Sequence, residues 1–235
     1  MPIIQEYLYK HTVDSFLKDD DVFGKMKEKA IKTNKHYLPS DINSWEENIR
    51  IMKVICQDIL NYFKKCNTKK RQREFQSFGS TTILFEISTS SGRVDCCLLG
   101  KSRTGENCVF IELKQWSNDF IAVHKNDDGS ISHMVITKYK DGETPLRYHP
   151  SYQVSNYRWL TYNKFKELGI NVIGIAFCYN CTKDSQTYTV LYDPQYEDFR
   201  NDCKIFTKED RYEIEKKIRE ACWDGKGNGI FKDLS

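Results

Sequence analysis

Two apolar, β-rich runs separated by a short polar connector constrain this chain more than anything else in it. Residues 94–99 (VDCCLL) and 108–113 (CVFIEL) read as strands, and KSRTGEN, residues 101–107, joins them with Gly105 and Asn107 as turn formers. A hairpin symmetric about this connector has its centre between Arg103 and Thr104, which sets Asp95 opposite Glu112. Residues opposed across antiparallel strands have Cβ atoms about 4.5–5.5 Å apart. Lys114 lies two residues beyond Glu112 and so points to the same face. Two carboxylates and an ammonium therefore converge on one side of an otherwise apolar sheet, where charges need partners.

That set of groups suits a hard divalent cation. Mg²⁺ takes oxygen ligands, typically one or two carboxylates with water and substrate phosphate, and Lys114 beside it would position water or offset phosphate charge. Asp95 and Glu112 are the expected ligands, with Glu86 on the preceding run 81–89 (TTILFEIST) a possible additional acid. The turn at 90–92 does not fix the register of Glu86. A structural salt bridge among Asp95, Glu112 and Lys114 is the competing reading.

A second motif is HPSYQVSNYRWL, residues 149–160, where Pro150 marks a helix start and Gln153 and Tyr157 share one helix face. Together RVD, IELKQWS and the Gln153-x-x-x-Tyr157 pair resemble the PD-(D/E)XK nuclease superfamily, in particular its RecB-like members. With SWEENI and HPSYQ they look like the nuclease domain found ahead of a P-loop DNA/RNA helicase domain in some bacterial proteins, over roughly residues 12–230. The resemblance implies a restriction-endonuclease-like α/β fold, Mg²⁺ or Mn²⁺, and cleavage of nucleic acid, DNA rather than RNA. It implies Asp95, Glu112 and a backbone carbonyl near Leu113 as metal ligands, Lys114 as the catalytic lysine, and Gln153 and Tyr157 as substrate-orienting residues. Val94 stands where that superfamily has a proline. A helicase domain in cis, or as a partner, is the implied associate, although no G-x-x-x-x-G-K-[ST] occurs here.

Net charge is only +3, so attraction to nucleic acid must come from local clustering rather than from the whole molecule. The densest basic run, KKCNTKKRQR at 64–73, has six Lys or Arg in ten residues, and its Lys69, Lys70 and Arg71 are candidates to grip phosphate beside the site. His149 and Arg158 are further candidate substrate contacts. Nine cysteines, an odd number, with no visible signal peptide and no segment of membrane-spanning length, fit reduced thiols in a cytoplasmic protein with no membrane partner.

The domain organisation expected is a helical extension over 1–40 and one nuclease domain over 41–235. Ser44 and Glu47 form a capping box for a helix to about Lys64, buried along Trp45, Ile49, Met52, Ile55, Cys56, Ile59 and Phe63. Within 116–149 the pattern gives a loop, a hairpin and a strand. A helix from about 151 to 168 stops at Gly169, and 171–180 is a buried strand. TYTVLYD, 187–193, alternates as a further strand, Thr207–Asp210 starts a last helix to about Trp223, and GKGNG, 225–229, is a turn. Cys178-x-x-Cys181 is a lone pair without the second pair a zinc site needs.

Overall fold

The computed structural model describes residues 6–33, 37, 39–65, 68–89, 92–138 and 142–224; the turn expected at 225–229 lies outside them. The chain runs β1 (Tyr9–Thr12), α1 (Val13–Lys18), α2 (Val22–Lys32), α3 (Pro39–Lys64), α4 (Lys69–Gly79), β2 (Thr82–Thr89), β3 (Gly92–Ser102) and β4 (Gly105–Lys114). It continues through β5 (Ile121–Val123), β6 (Met134–Thr137), β7 (Leu146–Tyr148), α5 (Pro150–Glu167) and β8 (Ile170–Cys178). It closes with α6 (Gln186–Leu191), α7 (Glu197–Asp202), β9 (Ile205–Thr207) and α8 (Arg211–Cys222).

The fold is mixed α/β. A central six-stranded sheet has the order β1-β2-β3-β4-β8-β9, and a separate three-stranded sheet has the order β5-β6-β7. Strands β1 to β4 are antiparallel, while β8 runs parallel to β4 and β9 parallel to β8. The parallel step follows from the α5 crossover, since parallel neighbours need a connection long enough to return the chain. Aliphatic and aromatic side chains of α1, α2, α3 and α8 cover one face of the sheet, packing on Phe85, Cys96, Leu98, Val109 and Ile111. Tyr157 and Phe165 of α5 cover the other, against Leu84, Ile87, Cys97 and Phe110. No helix among the described residues is long and apolar enough to cross a membrane.

The β3–β4 hairpin is tighter than the sequence suggested. Pairing runs to Ser102↔Gly105, leaving Arg103 and Thr104 as a two-residue turn, and Gly105 takes φ 128, a value open to glycine. A second glycine seats α5: a Cβ on Gly174 of β8 would lie 2.5 Å from Val154 Cγ1 and 2.7 Å from Arg158 Cδ.

Three expectations need correction. The N-terminal segment is not a purely helical extension, because β1 pairs with β2 as the sheet's edge strand and Val13, Phe16, Val22 and Met26 join the main core. Helix α3 starts at Pro39, not Ser44; proline suits a first helical turn. Ser44 is consequently inside the helix, with Oγ donating back to the Asp41 carbonyl at 2.7 Å, and Glu47 pairs with Arg50. Residues 187–191, expected in a strand, are helical. Ser185 caps α6 by accepting from Tyr188 N at 3.1 Å, and Thr187, Val190 and Leu191 are buried at helical spacing, which overrides the local alternation. Of the basic run 64–73, Lys64 ends α3 and Lys69 to Arg73 lie in α4.

Candidate active site

The hairpin register brings the two acids together as its symmetry requires. Pairing from Ser102↔Gly105 to Cys96↔Ile111 places Asp95 against Glu112 at the next step. Across the other neighbour, Glu86 falls opposite Asp95, between the pairs Phe85↔Cys96 and Ile87↔Val94. Three carboxylates thus line up over β2, β3 and β4. Glu86 is also the one described non-glycine residue with a positive φ, at 52. A left-handed residue inside a strand costs of order 1–3 kcal/mol and persists only where its surroundings hold it.

This kink has a structural consequence. Phe85 and Cys96 face α3, yet Ile87 and Val94, two residues away on each strand, face α5. Regular alternation would keep each pair on one face, so both strands switch faces at Glu86 and Asp95. With β3 bent there, the Leu113 N–H has no strand carbonyl opposite it and donates instead to Asp95 Oδ2 at 2.7 Å. Leu113 was expected to contribute its carbonyl. In a strand a residue's N–H and C=O open to the same side, so that carbonyl also opens toward Asp95.

Lys114 Nζ donates to Glu112 Oε1 at 2.6 Å, while the other oxygen, Oε2, is buried with no hydrogen-bond partner. Burial first, and the Asp95 carboxylate second, push Glu112 up to about 8. Burial also raises Asp95, against the pull of Lys114 and the Leu113 N–H. Burial and Asp95 raise Glu86 well above the carboxylate range. Burial works against the charge on Lys114, but the carboxylates of Glu112 and Asp95 outweigh it and raise its pKa.

The helix motif converges on the same point. Gln153 Nε2 donates to the Tyr157 hydroxyl at 2.7 Å, which donates to the Arg93 carbonyl at 2.6 Å. Gln153 also interacts with the Glu112 carboxylate, favouring its charged form. Both residues therefore face the acids, with Tyr157 acting as a brace between α5 and β3. Sequence reasoning missed Arg93 and Asp41. The Arg93 guanidinium pairs with Asp41 at 2.7 Å, lies 4.4 Å from the Tyr37 ring centroid, and lowers the pKa of both Asp95 and Glu86.

Other expected contacts lie elsewhere. His149 is fully buried rather than at the rim. Its Nε2 bonds the Leu191 carbonyl at 3.1 Å, its ring stacks on Tyr196 at 4.4 Å, and burial holds its pKa down to about 3. Arg158 turns to Asp202, bonding its carbonyl at 2.7 Å and its carboxylate at 3.0 Å. Arg71 is tied to Glu74 at 2.9 Å, Lys70 lies 3.9 Å from the same carboxylate, and Lys69 is exposed on the same turn. Arg71 shares a cavity with Arg103 at the tip of the hairpin. The seven residue steps of β4 from Gly105 to Glu112 span roughly 23 Å at ~3.3 Å each, so this basic turn is remote from the acids. Cys178 and Cys181 are buried free thiols, as are the other described cysteines.

The donor set suits a small hard cation only in part. Among the described residues no three His, Cys, Asp or Glu side chains meet as a metal-binding group. Two opposed carboxylates, one with an orphaned buried oxygen, and a nearby carbonyl are nonetheless what Mg²⁺ or Mn²⁺ needs when water and phosphate fill the other positions. No protein-family model, no curated protein and no solved structure matches this chain.

Proposed function

We propose that the protein is a divalent-metal-dependent nuclease that hydrolyses phosphodiester bonds in nucleic acid, with DNA the expected substrate, on a restriction-endonuclease-like core. The observation that carries this reading is the convergence of Asp95, Glu112 and Lys114 with Gln153 and Tyr157 from a separate helix. A structural ion pair needs only Lys114 and Glu112. It does not account for an orphaned Glu112 oxygen, a second carboxylate opposite, or a left-handed glutamate beside them.

Asp95 and Glu112 would hold the cation, with the Leu113 carbonyl on the same side. Bound Mg²⁺ or Mn²⁺ would supply an activated water and neutralise charge on the phosphate. Lys114 carries a charge that burial alone would remove, and its ammonium beside Glu112 orients water or meets a phosphate oxygen. Gln153, fixed by Tyr157, directs its amide at the acids and positions water or substrate. The competing reading, a catalytically silent nucleic-acid-binding module, draws on the missing third side-chain ligand.

Labelled single- and double-stranded DNA and RNA incubated with the full chain in Mg²⁺, Mn²⁺ or EDTA separate the two. Cleavage is expected with either metal and not in EDTA. It is expected to vanish in Glu112→Gln and to fall in Gln153→Ala without matching loss of stability. Binding without cleavage in any metal establishes the silent module, and cleavage that persists in EDTA overturns the metal mechanism.

A further inference from the structure

Helix α5 has a second face that this chemistry does not use. Val154, Tyr157, Thr161 and Phe165 are buried, whereas Trp159 is 78% exposed and Tyr162 52% exposed. Exposed apolar side chains that adjoin one another, rather than lie scattered, mark interaction sites. Trp159, Tyr162 and Lys166 line a groove of about 630 Å³ that is completed by Ser155, Arg158, Asp202 and the start of β8. The groove exists because β9 pairs only with Ala176–Cys178, leaving the edge of β8 at Ile170–Val172 without a strand neighbour among the described residues.

Two polar atoms there, Ser155 Oγ and Arg158 Nε, are closed to solvent and have no hydrogen-bond partner. Both can donate, and a buried donor left unpaired costs about 1–3 kcal/mol. The one acid lining the groove, Asp202, is already matched by Arg158 at 3.0 Å. Lys166, with Nζ 5.6 Å from the Tyr162 ring centroid, then leaves the lining positive. Flat exposed rings interleaved with cations are the surface on which unpaired bases stack while phosphates meet charge.

We propose that this groove binds single-stranded nucleic acid, separately from the carboxylate cluster. Bases stack on Trp159 and Tyr162, and a phosphate meets Lys166. A duplex keeps its base faces covered and offers the rings nothing to stack on. Gln153 and Lys166 are thirteen residues apart, about 20 Å of helix, and lie on different faces of α5. The groove therefore acts as a grip away from the acids, and it stands whether or not they cleave.

The test is binding by the full chain in EDTA, where the proposed cleavage is off. A fluorescein-labelled oligothymidine and a hairpin duplex of equal length are titrated, reading anisotropy and, with unlabelled strands, tryptophan fluorescence. Of the four tryptophans, Trp45 and Trp116 are buried, at 1% and 7% exposure, and Trp223 is half-buried in the cavity of Arg71 and Arg103, so the quench is assigned to Trp159 by its loss in Trp159→Phe. Single strands are expected to bind more tightly than the duplex and to quench emission. Trp159→Ala is expected to weaken binding roughly ten-fold or more, and Trp159→Phe to keep most of the affinity while losing the quench. Lys166→Ala is expected to flatten the salt dependence. Equal affinity of Trp159→Ala and wild type overturns the proposal, as does equal binding of the duplex. So does a wild-type dimer in sedimentation that Trp159→Ala dissociates with no change in oligonucleotide affinity, since the face is then an interface between copies. If these binding results hold and no metal supports cleavage, the nuclease reading fails and the groove remains. Metal-dependent cleavage with binding indifferent to Trp159 has the opposite meaning.

Discussion

Glu112→Gln tests the electrostatics of the site through stability alone. Glu112 is 2% exposed, sits opposite Asp95, and is pushed up to about 8 by burial and that neighbour. In the unfolded chain it has an ordinary carboxylate value, near 4.5. Between those values the folded state holds a proton that the unfolded state has released, so stability falls as pH rises. The contribution is complete below about 4.5 and gone above about 8. At 1.36 kcal/mol per unit the shift sets a ceiling of about 5 kcal/mol. Water reaching the partly open Asp95 and Lys114 side chains lowers the expected change to ~2 kcal/mol. Glutamine keeps an acceptor for Lys114 and cannot titrate, so the variant's advantage over wild type is expected to grow by that amount from pH 5 to pH 8. Urea unfolding in EDTA at half-unit pH steps measures it. His149, held low by burial and destabilising as pH falls, is present in both proteins and cancels. Parallel curves across this range would refute a strained, buried carboxylate at position 112.

Two further outcomes follow from the same geometry. Saturating Mn²⁺ would bind the charged carboxylates, so at pH 8 it is expected to raise the melting temperature by about 5–11 °C, from ~2.7 kcal/mol at a hundred times Kd, and by less at pH 6. Asp95→Asn, which keeps an acceptor for the Leu113 N–H, should abolish that rise without unfolding the protein; an unchanged rise removes Asp95 from the ligand set. Glu86→Gly relieves a left-handed backbone and a buried charge together and is expected to stabilise the chain by ~1 kcal/mol in urea, with a smaller gain for Glu86→Ala, whose Cβ stays strained. Loss of stability in both variants would mean that the Glu86 carboxylate is held by favourable contacts.

The parts of this molecule legible in its sequence are those set by short-range geometry. A two-residue turn and a side-chain period of two suffice to place Asp95 against Glu112, and a helical period places Gln153 with Tyr157. The crossover length gave a parallel β8. What depended on distant contacts was not legible. The alternation in residues 187–191 is a strand pattern, and only Ser185 as a cap and the packing of Val190 and Leu191 in a core cluster with Trp116, Ile121 and Tyr196 make it a helix. The register of Glu86 depended on a backbone conformation that no residue type announces, since glutamate is a poor choice for positive φ. Basic residues at 69–71 looked like a phosphate grip because sequence cannot tell which end of a strand a neighbouring helix approaches.

The Glu86–Asp95 kink links the fold to the chemistry. A hydrophobic triad across β2, β3 and β4 would keep the alternation regular, avoid the left-handed residue, and bury no charge. Replacing buried ionic groups with packed apolar ones is often neutral or stabilising. The chain instead keeps three carboxylates with raised proton affinities and one ammonium, and bends two strands so that an aspartate takes the place of a backbone carbonyl. Each departure lowers stability, and all of them meet within one residue pair of Glu112. Strain and buried charge gather at one point while the sheet around it stays regular, and they are what the proposed ligand would relieve. The cation proposed above would offset the burial that raises both carboxylates and the Asp95 charge that adds to the shift of Glu112.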